Sequence, residues 1–214
     1  MSWIIIYQVI RVLISRTGRM VPDLRRPVLF LCMLWAGVFT TRAAVVPRLS
    51  FEELVGGAER IVHARCLAKE GFLEPLTGMI WTRYEFEIIE SLKGDPQQRI
   101  VVMEPGGRYG NRGQWAPGVP QFDIGTEAVL FLARTATGKW RVYGLGQGNY
   151  RVRQDSISGA TLVQADLSGM ELVEMPGAPG QEPMIVPRAV SGRETLDQLK
   201  QRIREQVARR VLQR

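Results

Sequence analysis

The chain has 214 residues, with 28 Lys and Arg against 21 Asp and Glu, one His and two Cys. One histidine excludes a multi-histidine metal centre, and two cysteines exclude a disulfide-dense scaffold. With 45% hydrophobic and 23% charged residues the chain can bury a globular core, and the formal charge of +7 points to nucleic acid or membrane only if it belongs to the folded part.

It does not. Val28 to Phe39 (VLFLCMLWAGVF) is an uninterrupted apolar run of 12 residues, preceded by Arg25-Arg26-Pro27 and followed by Thr41-Arg42-Ala43-Ala44. A basic flank, a short apolar stretch and a small-x-small ending predict a secretory signal peptide. Cleavage is expected after Ala43, or one residue later after Ala44. The run falls short of the ~20 residues that span a bilayer, so membrane contact is expected only through the transient signal. Leu31, directly before Cys32, argues against a lipoprotein anchor. Met20 opens a signal peptide of ordinary length, so residues 1–19 read as an over-extended start; a long basic n-region or a weak membrane-surface segment is the competing reading. The leader, 1–43, holds six basic residues and one acid, leaving 22 basic and 20 acidic residues in 44–214. Of these, eight basic and three acidic residues fall in 188–214, so the stretch 44–187 is slightly acidic. A nucleic-acid partner is not expected. Cys32 leaves with the signal, so Cys66 has no intramolecular partner. The expected location is secreted or periplasmic.

Ser50-Phe51-Glu52-Glu53 is a capping box that starts a short helix, closed by Gly56-Gly57. Arg60 to Lys69 alternates, with Ile61, His63, Arg65 and Leu67 on one face and Val62, Ala64, Cys66 and Ala68 on the other. Ile80 to Glu90 places Ile80, Thr82, Tyr84, Phe86 and Ile88 inward, and Ser91 to Pro96 reads as a turn. A third strand covers Arg99 to Met103, and 104–125 reads as one long Gly/Pro-rich loop. Further strands are expected at Glu127–Ala133, Trp140–Gly144, Asn149–Arg153, Thr161–Ala165 and Glu171–Met175. The barrel domain is expected over 44–175 and a Pro/Gly linker over 176–190. In 191–214, Leu196, Leu199, Ile203, Val207 and Val211 recur at helical spacing and predict a basic amphipathic helix. Short strands with flanking helices indicate a mainly β fold, a small barrel or sandwich.

Three segments, AERIVHAR (58–65), YEFEIIESLKGD (84–95) and GTEAVLFLARTATGKWRVYG (125–144), occur in the order seen in the netrin-like domain, which the chain resembles. That domain is the OB-type barrel of the tissue inhibitors of metalloproteinases. With Pro105-Gly106-Gly107, Pro117-Gly118-Val119-Pro120-x-Phe122 and Gly144-Leu145-x-Gln147-Gly148-x-Tyr150, the chain also resembles small exported bacterial proteins of unassigned function. The resemblance implies an OB-like barrel and, as a partner, an exported protein such as a protease. The inhibitors meet catalytic zinc through an N-terminal cysteine; here the mature start near Ala44 carries none, so the resemblance bears on fold more than on inhibition.

His63 and Cys66 raise a Cys–His nucleophile, but residues three apart on a strand face opposite ways, so the dyad needs a bulge between them. A buried Cys66 beside a surface or half-buried His63 is the simpler expectation. Gly106 to Gly113 carries Arg108, Tyr109 and Arg112 between glycines, with Trp115 and Phe122 at its far end. Guanidinium forks and aromatic faces on a long connection make these five the candidate contact surface. No lysine and Ser/Thr follow to complete a P-loop, and Gly144-Leu145-Gly146-Gln147-Gly148 runs into a strand, which removes a dinucleotide site. Glu85, Glu87 and Glu90 read as a solvated face, and Trp81 and Trp140 as core or rim aromatics. No catalytic set, cofactor or metal is expected. The leading expectation is an exported, non-enzymatic binding module; protease inhibition and a Cys66-dependent enzyme are the alternatives.

Overall fold

The alternating apolar positions after residue 60 build two long strands that set the whole architecture. The computed structural model describes residues 43–174, 184–186 and 194–213; the expected leader up to residue 42 and most of the expected linker lie outside the described residues. In chain order the elements are β1 (Ala44–Pro47), α1 (Phe51–Gly57), β2 (Arg60–Leu73), β3 (Ile80–Lys93), β4 (Arg99–Pro105), β5 (Gly107–Tyr109) and β6 (Arg112–Gln114). Then follow β7 (Glu127–Arg134), β8 (Trp140–Val142), a 3-10 turn (Leu145–Gly148), β9 (Asn149–Gln154), β10 (Thr161–Ala165), β11 (Met170–Glu174), β12 (Met184–Val186), β13 (Glu194–Thr195) and α2 (Leu196–Leu212). The fold is mainly β, with a closed five-stranded barrel of OB-like form and helices near both ends of the described chain.

The ring runs β2–β3–β4–β8–β7 and back to β2, all antiparallel except the β4–β8 pair. Three bulges bend the β2–β3 ribbon into that ring: Leu92 and Ile89 are the extra residues on β3, and Leu67 the extra residue on β2. The Leu67 bulge corrects the simple alternation expected for β2. Beyond it Ala68 turns to solvent, and Lys69 and Gly71 take the side of the ribbon that carries Tyr84 and Thr82.

Val62, Ala64, Cys66, Tyr84, Phe86, Val102, Leu130 and Leu132 fill the barrel. A second core lies outside it, where Ile61, Val129 and Phe131 meet Leu54 and Val55 of α1 and Leu196, Leu199 and Ile203 of α2. β7 is therefore buried on both faces, which explains its continuous apolar run. The Ser50–Glu53 capping box is formed, and Thr195–Gln198 forms a second one at the start of α2. The helix stripe packs as far as Val207, while Val211 is exposed. Glu90 is not simply solvated: it pairs with Lys200 at 2.8 Å and with Arg204, tying α2 to β3. Within the stretch expected as a linker, β12 pairs with β11, which also receives β1 in parallel, making a separate three-stranded sheet.

Barrel closure rests on a short seam. β4 and β8 share one ladder position, Val102 opposite Trp140. Two residues further on, the Val142 N–H donates to Oε1 of Glu104 at 2.7 Å, and Arg141 donates to Oε2 from Nε at 3.2 Å and from Nη2 at 3.0 Å. A carboxylate thus stands where a ladder carbonyl would, and it is fully enclosed. Trp81 and Trp140 occupy the rim: the Trp81 ring lies under Arg141 and Lys139, each 5.6 Å from its centroid, and Trp140 under Arg134 at 4.6 Å and Arg60 at 5.3 Å.

Burial pushes the Glu104 carboxyl up to about 7, against the pull of Arg141 and the Val142 N–H. The folded state therefore holds this proton more tightly than the unfolded chain, whose ordinary value is 4.5. The stability that Glu104 contributes is full below that value and is lost as pH rises through about 7. Denaturant unfolding from pH 4 to 8 is expected to show the difference between the native protein and Glu104→Gln falling by on the order of 3 kcal/mol across this window. Parallel pH curves for the two proteins would contradict it.

Candidate binding cleft

Past the barrel rim the β2–β3 ribbon continues as a two-stranded platform, and the β5–β6 hairpin lies on it. Glycine makes this approach possible. A Cβ on Gly71 would sit 1.7 Å from the Arg108 carbonyl oxygen, and one on Gly107, whose φ is +113°, would sit 2.0 Å from the Thr82 hydroxyl. The Thr82 hydroxyl donates to the Gly106 carbonyl at 2.7 Å, and the Ile80 N–H donates to the Gln114 side-chain oxygen at 2.8 Å. The stretch expected as one loop is therefore the end of β4, a docked hairpin and only then a connection.

That connection forms the opposite wall. Phe122 drives into the barrel mouth, edge-on to Tyr84 at 5.1 Å and to Phe86 at 5.0 Å. Lys69 Nζ meets Asp123 Oδ1 at 2.6 Å, and Arg151 donates to the Gln121 carbonyl at 3.1 Å while pairing with Asp166 at 2.6 Å. The Lys69 ammonium holds the Asp123 carboxyl below the ordinary range, and Asp123 in turn raises Lys69. Burial raises the Tyr84 phenol, so it lines the floor as a neutral group. Between hairpin and connection lies a cleft of about 790 Å³, bordered by Lys69, Arg108, Trp115, Gln121, Asp123 and Arg151.

Of the five expected contact residues, three line this cleft: Arg108, Trp115 and Phe122. Phe122 is only 4% exposed and reaches the cleft from the barrel side. It is an anchor that closes the barrel mouth. Trp115 is 62% exposed and presents its ring to solvent. Tyr109 and Arg112 pair across the hairpin tip, outside the cleft lining. Arg108 has no acidic partner among the described residues, unlike Lys69 and Arg151. Sequence reasoning missed Lys69, Gly71, Thr82, Tyr84, Gln121, Asp123 and Arg151. Gly71, interrupting an otherwise regular strand, was the available signal of a close backbone approach.

Other expected positions separate. His63 and Cys66 lie on opposite faces of β2, because the bulges beside His63 are on β3. His63 is buried, not half-exposed, with Nε2 at 3.3 Å from Glu127. Burial, followed by the nearby Lys200 ammonium, pushes its pKa down. Cys66 is inside the barrel, and burial pushes its thiol up, away from the thiolate range a nucleophile needs. Ala44 begins β1, its N–H donating to the Gly169 carbonyl at 2.9 Å. No three His, Cys, Asp or Glu side chains among the described residues are grouped to hold a metal ion. No described helix is long and apolar enough to cross a membrane. No protein-family model matches the chain, and no curated protein is significantly similar to it.

The hairpin's dependence on Gly71 has a measurable consequence. Gly71→Ala is expected to lower stability by about 1–3 kcal/mol, because the Arg108 carbonyl must move away from the new methyl. Thermal unfolding of the variant measures the loss; an unchanged midpoint would mean the hairpin does not seat on β2.

Proposed function

We propose that this protein is an exported binding module that recognises a partner through the cleft between the β5–β6 hairpin and the 115–126 connection. The observation that carries the reading is the pairing of a half-open, aromatic-walled cleft with a guanidinium, Arg108, that has no acidic partner among the described residues. Lys69 and Arg151 are compensated by Asp123 and Asp166 and serve chiefly to hold the wall, whereas Arg108 is available to an incoming anion. Trp115 offers a broad apolar face beside it, the residue type that dominates binding energy at interfaces. The apolar stretch at 28–39, with its basic flank and small-residue ending, supports export to a secreted or periplasmic location.

The barrel agrees with what the netrin-like resemblance implies for the fold, and a partner such as an exported protease follows from that resemblance. Ala44 supplies no thiol for a metalloprotease zinc, so inhibition in this reading would pass through the cleft rather than the chain start.

The mature chain 44–214 used as bait on culture supernatant or envelope extract tests the proposal. Capture of the same proteins is expected to fall by about tenfold or more with Trp115→Ala or Arg108→Glu, the loss typical of a central interface residue. Capture that is unaffected by both changes would remove the cleft as the binding surface.

A further inference from the structure

Strand β2 loses its neighbour halfway along its length. It pairs with β7 from Arg60 to Arg65, and the ladder is prolonged by two bonds, Cys66 N–H to the Thr126 carbonyl and Gly125 N–H to the Cys66 carbonyl, each about 2.8–2.9 Å. The chain then turns away through Asp123. β2 continues for seven more residues, held on one side only by β3.

The direction of the remaining backbone groups follows from its hairpin. Glu74 N–H donates to the Met79 carbonyl across the turn, so residue 74 faces β3, and the Ile80 carbonyl, opposite Leu73, accepts from Gly106 on the β4 side. By alternation, Lys69, Gly71 and Leu73 direct their N–H and C=O groups away from β3. None of these six groups has a backbone partner among the described residues. The Leu67 bulge creates this phase, because it shifts the outward-facing set by one residue relative to Cys66. Lys69 and Gly71 are also cleft residues, so the open edge borders the cleft directly.

We propose that the cleft takes an extended polypeptide segment, which adds as a strand to the open edge of β2 at Lys69–Leu73 and places an acidic side chain against Arg108. The inference rests on the cleft being the binding surface and names its ligand. Strand addition supplies main-chain hydrogen bonds to groups that are otherwise left to water, and alternate side chains of the added strand point to the cleft side of the sheet. The cleft has room for them at about 790 Å³. Its uncompensated charge is positive, and its exposed wall is Trp115, which together favour a strand carrying an acid and an apolar residue two positions apart. A natively paired edge would carry no such preference; an open, flat, partly apolar edge is otherwise a liability that proteins cover.

The test is a selection of linear peptides from a random phage-displayed library on the mature chain 44–214, followed by N-methylation of each amide of the selected peptides in turn. N-methylation removes one donor and leaves every side chain in place. Affinity is expected to fall about tenfold at alternate positions and to change little at those between, the loss of one edge hydrogen bond at a time. The selected peptides are expected to be enriched in Asp or Glu and to lose about tenfold with Arg108→Glu. Peptides that depend on Trp115 and Arg108 but tolerate N-methylation at every position would overturn strand addition while leaving the cleft as the binding surface. Strand addition is overturned in the same way if no peptide is selected but polygalacturonate, a soluble acidic polysaccharide, binds with dependence on both residues. Peptides indifferent to both residues would overturn the cleft itself.

Discussion

Closure of the barrel depends on one buried glutamate side chain. Five strands close into a barrel only if the last, β8, is held against β4, and these two strands share a single ladder position. Glu104 extends that seam by accepting the Val142 N–H and two bonds from Arg141, so a side chain takes the place of a missing stretch of sheet. Such a group is costly to enclose without partners, and burial has moved its protonation toward neutrality. Everything that packs inside the ring, from Val62 to Leu132, presupposes this closure. The second core, under α1 and α2, packs on the outer face of β7 and inherits its position from the same ring.

The cleft arises from how the ring is assembled. β2 and β3 are 14 residues each, whereas β7 has eight and β4 seven, so the ribbon outgrows its neighbours. The surplus must be covered or left open. The β5–β6 hairpin covers the inner face of the overhang through Gly71 and Gly107, and Phe122 seals the barrel mouth beneath it. What remains uncovered is one flank, bordered by cations and by Trp115. A mismatch in strand length thus becomes a recognition surface, with the rigid barrel fixing the hairpin on one side and the 115–126 connection on the other.

Much of the fold is legible in the sequence because local rules and tertiary structure agree in it. The period-two pattern from Ile80 to Ile88 holds on β3, with Tyr84, Phe86 and Ile88 packed in the barrel and Ile80 and Thr82 buried beyond its rim beside the hairpin, and the Ser50–Glu53 cap starts its helix as expected. The stripe of α2 packs where its spacing says it should from Leu196 to Val207, and Val211 beyond it is exposed. Other features depend on partners distant in the chain. The Leu67 bulge has no local signature, since only the register against β3 reveals it. Glu104 resembles any acid entering a loop until β8 arrives 36 residues later to use it. Phe122 reads as a surface residue because it follows a Gly/Pro-rich stretch, yet the barrel mouth needs a ring there. Of the candidate site, the exposed members Arg108 and Trp115 are readable from residue type on a long connection, while Lys69, Asp123 and Arg151 become a wall only through pairings 30 to 54 residues apart.

A closed seam and an open edge coexist in one small barrel, and native-state amide hydrogen exchange of the unliganded mature chain reads both at once. The Val142 amide, held by Glu104, should exchange only through global unfolding, whereas the Gly71 and Leu73 amides should exchange orders of magnitude faster from the folded state. Fast exchange at Val142, or protection at Gly71 and Leu73 equal to that of the barrel interior, would contradict a barrel locked at its seam with one strand edge left free for a partner.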